Sequence, residues 1–166
     1  MTEQRLTITH EGRQHLEMTP ADLRAAGVPQ AAIDAALDAQ VIAAATARID
    51  AIADRVFTGS ASRSARYREK YQEALRYHDA GYPANVSADD YPYLTAEAPT
   101  RGMTKRELAE AIIARADAYR QFGALAEAKR AALKQAVPAA NDAAAKQAAA
   151  DAIVAEVAQA AQALQG

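Results

Sequence analysis

Residues 66–108 read RYREKYQEALRYHDAGYPANVSADDYPYLTAEAPTRGMTKREL. Six of the chain's seven tyrosines lie in this stretch, between Tyr67 and Tyr93, in a sequence otherwise dominated by alanine. Three prolines interrupt the segment from Tyr82 to Gly102, so regular structure is expected to weaken there. Because aromatic side chains bury the most surface, this stretch is predicted to anchor the packing of the fold.

Helices are predicted on both sides of the tyrosine-rich loop. The upstream helix, residues 62–80, is expected to end at Gly81. One of its faces would carry Tyr67, Tyr71, Ala74, Leu75 and His78, with Tyr67 and Tyr71 packed internally. A short helix within residues 87–98 could follow, with Ser87 or Asp89 as its cap and Pro92 near its start.

The downstream helix has the strongest local signal in the chain. Thr104 and Glu107 predict a capping box, and Met103 with Leu108 fits the flanking hydrophobic staple. The helix is expected to run to about Val137, where Pro138 breaks the pattern. The side chains predicted to point inward are Leu108, Ile112, Tyr119, Phe122 and Leu133.

The first 59 residues predict a hairpin followed by two helices. Residues 5–18 alternate apolar and polar side chains around a Glu11-Gly12 turn. Thr19 and Pro20 predict a short helix that ends at Gly27. A helix of about 28 residues follows, ending at Gly59. It would bury one apolar stripe, formed by Ile33, Leu37, Val41, Ala45, Ile49, Ile52 and Val56.

The last segment, residues 138–166, predicts an alanine-rich helix. Ile153, Val157 and Leu164 recur at coiled-coil-like spacing over about two heptads. The helix could be an oligomer seam, a frayed tail or the final helix of a bundle. The predicted fold is therefore mainly α, with long antiparallel helices, a small N-terminal β-hairpin and an alanine-rich C-terminal helix. Its segments are 1–18, 19–59, 60–137 and 138–166.

Composition excludes several classes of function. The 166 residues include 47 alanines, no cysteine and a formal net charge of −2. Without cysteine there is no disulfide, thiol catalysis or thiolate metal site. No apolar run reaches the ~18 residues that span a bilayer, and no basic excess favours nucleic acid. Alanine buries little surface, so the core is thin and we expect a homo-oligomer.

No reactive constellation stands out. His10 and His15 flank the hairpin turn without a third metal ligand, and His78 lies at a helix end. No metal, cofactor or catalytic residue is therefore predicted. Asp89-Asp90 is better explained as a helix cap than as an acid/base pair. The arginines among the tyrosines could contact single-stranded nucleic acid, but Glu69 and Glu73 on the same helix dilute the charge. The sequence predicts no enzyme.

Protein partners are the favoured ligands. Tyrosine is enriched at interfaces, and the loop tyrosines Tyr82, Tyr91 and Tyr93 are candidates to reach a partner. The sequence equally allows Tyr82 and Tyr93 to pack within one subunit. The full predicted partner-binding set is Tyr82, Tyr91, Tyr93, Ile153, Val157 and Leu164, and self-association is expected through the stripes at 33–56 and 153–164.

A set of residues between Tyr71 and about Lys134 forms a recognisable pattern. Its members are Tyr71, Glu73-Ala74, Tyr77, Tyr91-Pro92, Leu94, Ala96-Glu97-Ala98, Gly102-Met103-Thr104, Glu107-Leu108-Ala109, Ala118-Tyr119, Gly123-Ala124, Glu127-Ala128 and Arg130. Through these residues the run resembles a segment of small tail proteins of tailed bacteriophages and prophages. Tyr119 stands where those proteins often have tryptophan. The resemblance covers less than half of the chain and includes no catalytic residues.

The resemblance implies a virion protein of the phage tail, made in the cytoplasm of the bacterial host. Its expected role is to attach or support tail fibres through contacts with tail, baseplate or fibre subunits. The first alternative is a tail-fibre assembly chaperone that is absent from the finished particle. A small nucleic-acid-binding regulator is less favoured.

Overall fold

The computed structural model describes residues 4–57 and 61–164, and it shows a mainly α-helical chain with a small N-terminal hairpin. The predicted fold class is confirmed. The predicted helix stop at Gly59 lies outside the described residues. In chain order the elements are β1 (Leu6–His10), β2 (Arg13–Met18), α1 (Pro20–Ala25), α2 (Gln30–Phe57), α3 (Ala61–Asp79), α4 (Pro92–Thr100), α5 (Lys105–Ala139) and α6 (Ala143–Ala163).

The elements form two compact units. Unit 1 comprises Met1–Asp54 and Leu125–Gly166, and unit 2 comprises Arg55–Ala124. Helices α2 and α5 each contribute residues to both units. Each of the four segments predicted from the sequence is continuous in the chain. Unit 1 instead combines an N-terminal and a C-terminal stretch.

The hairpin has the predicted turn. Glu11 (φ 47°) and Gly12 (φ 74°) both adopt positive φ, as a two-residue type I′ turn requires. His10 lies opposite Arg13 in the antiparallel ladder. The turn therefore sets the pairing as far as Ile8 with His15, and the register shifts before Leu6, which lies opposite Met18.

One face of the hairpin docks on the helices of unit 1. Leu6 and Ile8 are buried, and the Gln40 side chain on α2 donates a hydrogen bond to the carbonyl of Arg5 at 3.2 Å. An isolated hairpin is marginal in water, so this docking stabilises it. Leu16 on β2 is instead 60% exposed.

The short helix α1 begins and ends as predicted. The Thr19 hydroxyl accepts from the Asp22 amide at 3.2 Å, and the Asp22 carboxylate accepts from the Thr19 amide at 3.4 Å. Pro20 occupies the first turn, where its missing N–H costs nothing. Gly27 has φ 84°, the left-handed conformation that commonly follows a helix end.

Helices α2, α5 and α6 supply the core of unit 1. Near the end of α2 the buried residue is Ala53, whereas the predicted Ile52 and Val56 are only half-buried. The reason is that the buried side chains recur every four residues along the whole helix, in the i+4 row that packs against its neighbours. The buried residues of α2 are Ile33, Leu37, Val41, Ala45, Ile49 and Ala53, and those of α6 are Lys146, Ala150, Ile153, Val154, Val157 and Ala161.

The prediction that Pro138 breaks α5 at Val137 needs correction by two residues. The helix runs to Ala139, with Pro138 inside its last turn. A proline removes one helical hydrogen bond and clashes with the preceding turn, so only a short continuation is tolerated. The buried Lys146 of α6 donates to the Val137 carbonyl at 3.3 Å, which places a positive charge at the negative end of α5.

In unit 2, α3 packs through only half of the predicted face. Glu73, Ala74 and Tyr77 are buried, whereas Tyr67 is 55% exposed and Tyr71 is half-buried. The prediction that Tyr67 packs internally is therefore wrong. The core of this unit joins α3, α4 and α5 through Ala74, Tyr77, Leu94, Ala98, Leu108 and Ala109.

Helix α4 begins later than predicted and is capped from a distance. It starts at Pro92 after Tyr91, which provides no side-chain cap. The carboxylate of Glu73 on α3 accepts instead from the amides of Tyr93 at 3.2 Å and Leu94 at 2.7 Å. The capping role predicted for Asp89-Asp90 is thus performed by Glu73, whose charge also suits the positive helix end.

Helix α5 starts with the predicted capping box. Glu107 accepts from the Thr104 amide at 2.8 Å, and Thr104 accepts from the Glu107 amide at 3.2 Å. Tyr71 contacts Arg120, while Tyr82, just beyond α3, contacts Arg106. Since the partner numbers fall as the α3 numbers rise, α3 and α5 run antiparallel, as predicted.

Candidate binding groove

The tyrosine loop packs mainly on its own helices. Tyr77 is buried and its hydroxyl donates to the Pro83 carbonyl at 3.2 Å. The rings of Tyr82 and Tyr91 meet the Tyr77 ring edge-on, with centroids 5.6 and 5.1 Å away. Such contacts stabilise packing beyond simple burial. Tyr82 and Tyr91 are half-buried, so their partner role stays a prediction.

The hydroxyls of Tyr82 and Tyr93 are engaged by nearby carboxylates. Tyr93 donates to Glu69 at 2.5 Å, and this bond, together with burial, raises the pKa of Tyr93. Burial and a hydrogen bond to Glu110 raise the pKa of Tyr82. Both tyrosines therefore serve contacts within unit 2, and each also leaves part of its ring accessible.

The predicted seam on α6 is occupied within the subunit. Ile153 and Val157 are buried in unit 1, and Leu164, just beyond the end of α6, is half-buried. The buried stripe of α2 is likewise part of this core. The structure thus corrects the prediction that the stripes at 33–56 and 153–164 join two copies, because they offer little free surface.

The histidines are dispersed. His10 lies 3.9 Å from Glu11 on the hairpin, and His78 contacts Asp79 at 2.9 Å at the end of α3. Throughout residues 4–57 and 61–164, no three His, Asp or Glu side chains are grouped so that they could hold a metal ion.

A concave surface lies entirely in unit 2. It is an open groove of about 890 Å³ between the first half of α3 and residues 108–120 of α5, and residues of α2 and α4 also line it. Phe57 and Tyr67 on its wall are 49% and 55% exposed. Exposed large apolar side chains beside polar ones are typical of binding surfaces. We call this surface the aromatic–basic groove.

Four aromatic rings line the groove: Phe57, Tyr67, Tyr71 and Tyr119. The rings of Phe57 and Tyr119 contact each other at 6.0 Å between centroids. Ala111, Ile112 and Ala116 of α5 add apolar side chains to the same lining. The groove therefore offers substantial apolar surface to a ligand.

Basic side chains accompany the rings. The lining holds one carboxylate, Glu97, and six cations, which are Arg63, Arg68, Lys70, Arg101, Arg115 and Arg120. Three of the arginines lie over tyrosine rings: Arg63 over Tyr67 at 5.8 Å, Arg115 over Tyr119 at 5.5 Å and Arg120 over Tyr71 at 5.0 Å. Such cation–π contacts hold each guanidinium against its ring.

Tyrosine hydroxyls fix two of these guanidinium groups further. Arg115 donates to the Tyr119 hydroxyl at 3.1 Å, and Arg120 donates to the Tyr71 hydroxyl at 2.5 Å. An ordered guanidinium loses less conformational entropy when it binds a carboxylate or phosphate. The groove thus presents positive charge in partly preset positions.

The electrostatic environment inside the groove is positive. The pKa of Tyr67 is lowered, chiefly because Arg63 donates a hydrogen bond to its hydroxyl, and the charges of Arg115 and Lys70 act in the same direction. A cationic environment favours the ionised form of a phenol, so this direction reports the sign of the local field. The same field would favour an anionic ligand.

Acidic neighbours neutralise only part of this charge. Glu97 pairs with Lys70 and with Arg101, and Asp117 pairs with Arg120. Within the part of the chain that the structure describes, Arg115 and Arg68 have no acidic partner. Two of the cations in the groove are thus without a carboxylate.

The facing arginines explain why this half of α3 does not pack on α5. Arg63 and Arg68 on α3 lie across from Arg115 and Arg120 on α5 in the groove lining. Closing the two helices would bury like charges together without enough carboxylates to pair them. The apolar stripe therefore closes only beyond Tyr71, where α3 presents Ala74 and Tyr77.

Sequence patterns indicated one wall of this groove and missed the other. The sequence shows the mixture of arginine and tyrosine on α3, but the apolar period of α5 indicates only an inward-facing stripe. The missed signal was the Arg115, Tyr119, Arg120 spacing, which places cations on the face that also carries Ile112. Phe57, at the end of α2, had no local signal for this role.

Of the helices described in residues 4–57 and 61–164, none is long and apolar enough to cross a membrane. No family model, no curated protein and no solved structure matches the chain.

Proposed function

We propose that the chain is a non-enzymatic interaction protein of a phage tail or baseplate. It attaches or supports tail fibres through contacts with neighbouring subunits. It is synthesised in the cytoplasm of the bacterial host and becomes part of the virion. The aromatic–basic groove is the surface through which it holds a neighbour.

The groove is the observation that carries this proposal. Exposed Phe57 and Tyr67 together with ordered arginines form the residue combination that protein interfaces favour. Helices α3 and α5, which present Tyr67 and most of the arginines, are fixed by the buried cluster of unit 2. A preformed surface of this kind binds without first paying for its own ordering. The link to phage tails comes from the sequence resemblance.

The homo-oligomer expected from the thin core stays part of the proposal, but it needs a different surface. The stripes of α2 and α6 are used inside unit 1. Leu16, on the outer face of the hairpin, is 60% exposed and is a candidate contact between copies.

A tail-fibre assembly chaperone is the alternative role. Quantitative proteomics of purified phage particles that encode the chain separates the two. Under the proposal the protein is present in a fixed ratio to other tail proteins. Its absence from infectious particles, together with its presence in lysates, would replace the structural role with the chaperone role.

A further inference from the structure

We propose that the aromatic–basic groove binds an acidic segment of a partner protein, one in which carboxylates alternate with large apolar side chains. The inference rests on the proposed interaction role and specifies the chemistry of the partner at the same surface. The partner segment would place its apolar side chains against the rings and its carboxylates on the arginines.

The apolar part of the lining favours a polypeptide. Ile112 and Ala116 belong to the same lining as the half-exposed rings of Phe57 and Tyr67. Aliphatic and aromatic side chains of a partner gain hydrophobic free energy there, roughly in proportion to the apolar area they bury. A phosphodiester backbone gains nothing from that part of the lining.

The cationic part of the lining favours carboxylates. Arg115 has no acidic partner among the described residues, and its guanidinium is held by the ring and the hydroxyl of Tyr119. Arg68 also lacks an acidic partner there. Arginine forms bidentate bonds with carboxylates, and these bonds are stronger than bonds between neutral groups.

Single-stranded nucleic acid fits the same groove less well. Base stacking needs an open ring face, and guanidinium groups already lie over Tyr67, Tyr71 and Tyr119. Residues 55–124 hold eleven Lys and Arg against nine Asp and Glu, so an extended polyanion would also meet carboxylates outside the groove. A short acidic segment matches a local positive field without requiring a basic protein.

A binding titration with the full-length protein tests the proposal. The probe is a fluorescein-labelled peptide of three Glu-Leu-Asp-Phe repeats, and the comparison peptide replaces Glu and Asp with Gln and Asn. A third titration uses labelled oligothymidylate. We expect saturable binding of the acidic peptide and binding at least about tenfold weaker for the neutral peptide, because it lacks charge-assisted hydrogen bonds.

Two double variants with the same change in net charge locate the binding site. Arg68→Gln with Arg115→Gln removes two cations of the groove, and Arg66→Gln with Arg76→Gln removes two from exposed positions outside its lining. We expect the groove variant to bind the acidic peptide about tenfold more weakly and the control variant to bind within about twofold of the original. Circular dichroism confirms that both variants fold.

Four outcomes would overturn the proposal. They are absence of acidic-peptide binding, equal weakening by both double variants, groove-dependent binding of oligothymidylate without the peptide, and a self-association that the groove variant abolishes. The last two would assign the groove to nucleic acid or to a second copy. Virion proteomics is independent of these titrations, so a failed peptide assay leaves the tail role standing.

Discussion

Glu73 shows how a single side chain determines the course of the tyrosine loop. It is only 2% exposed, and its two carboxylate oxygens accept from the amides of Tyr93 and Leu94. The first amides of a helix lack partners inside the helix, and Pro92 at the start of α4 leaves no local side chain to satisfy them. The Glu73 carboxylate, which belongs to α3, satisfies both amides.

We therefore expect Glu73→Ala to lower the free energy of unfolding by about 2–4 kcal/mol, because two buried donors lose a charged acceptor. Glu73→Gln should cost less, since its single amide oxygen can still accept. Urea denaturation followed by circular dichroism measures both. Asp90→Asn, an exposed carboxylate two residues before α4, is the control and should change little. Equal midpoints for Glu73→Ala and the control would contradict the capping role.

Tyr119 and Phe122 differ in burial, and their truncations should differ accordingly. Phe122 is 3% exposed, whereas Tyr119 is half-buried in the groove lining. We expect Phe122→Ala to cost about 3–5 kcal/mol and Tyr119→Ala about half as much. Thermal denaturation of the two variants checks the order. A larger loss for Tyr119→Ala would show that its ring is a structural anchor.

The sequence predicted those residue contacts whose partners are local. Thr19 with Asp22 and Thr104 with Glu107 are three residues apart, so the helix start fixes their geometry. Glu73 caps a helix about twenty residues away, and no local pattern encodes that distance. The sequence suggested Asp89-Asp90 for this role because a nearby cap is the simpler assumption.

At the scale of single elements, the start of α5 makes stability depend on pH. Hydrogen bonds from Thr104 lower the pKa of Glu107 in the folded protein. A lowered folded-state pKa gives stability that is present above the unfolded pKa and is lost as the pH falls through the folded value. The capping box should therefore weaken on acidification.

We expect Glu107→Gln to reduce the loss of thermal stability between about pH 6 and pH 3. Glutamine also fits a capping box, so stability near neutral pH should change little. Part of the pH dependence of thermal stability will remain, since Arg48 lowers the pKa of Asp151 and Arg106 lowers that of Glu110. A melting-temperature profile identical to that of the original protein would contradict this assignment.

Lys146 links three helices of unit 1. Its ammonium group pairs with Asp38 on α2 and donates to the Val137 carbonyl of α5. Both side chains of the pair are largely buried, at 7% and 17% exposure. Removing one partner of a buried pair leaves an uncompensated charge, whereas replacing both with apolar residues is often tolerated.

Lys146→Ala should accordingly cost about 3–5 kcal/mol in chemical denaturation. The double variant Lys146→Met with Asp38→Leu should recover most of that loss, because it removes both charges and fills the space. If the double variant were less stable than Lys146→Ala, the ion pair would not explain the loss.

The faces of the long helices could be predicted only in part. On α2 the apolar period identified Ile33, Leu37, Val41, Ala45 and Ile49 correctly, since one continuous partner surface covers them. On α3 the same method failed for Tyr67. Periodicity defines a stripe, but the opposing helix decides how much of it is covered, and here Arg115 and Arg120 face its first half.

At the scale of the whole molecule, charge is distributed unequally. Residues 55–124 hold eleven Lys and Arg against nine Asp and Glu, whereas the remaining residues hold eight against twelve. The net charge of −2 thus conceals a basic unit that contains the groove. The net charge, from which the sequence disfavours nucleic acid, averages over both units and does not describe the groove.

We expect self-association at tens of micromolar, the range in which a stable interface is populated. Leu16→Asn should weaken it in sedimentation experiments without lowering thermal stability, because the side chain is already 60% exposed. The groove double variant serves as the comparison. A monomer for the original protein at these concentrations would exclude the predicted oligomer.

The cap on α4 also implies an order of events during folding. A nine-residue helix is shorter than the ~12–15 residues that are even marginally helical alone, and α4 also contains Pro99. Its first amides depend on Glu73, which is in place only once α3 has formed. During synthesis α3 emerges first, so α4 can form on a template that already exists. A fragment that begins after α3 should leave residues 92–100 unstructured.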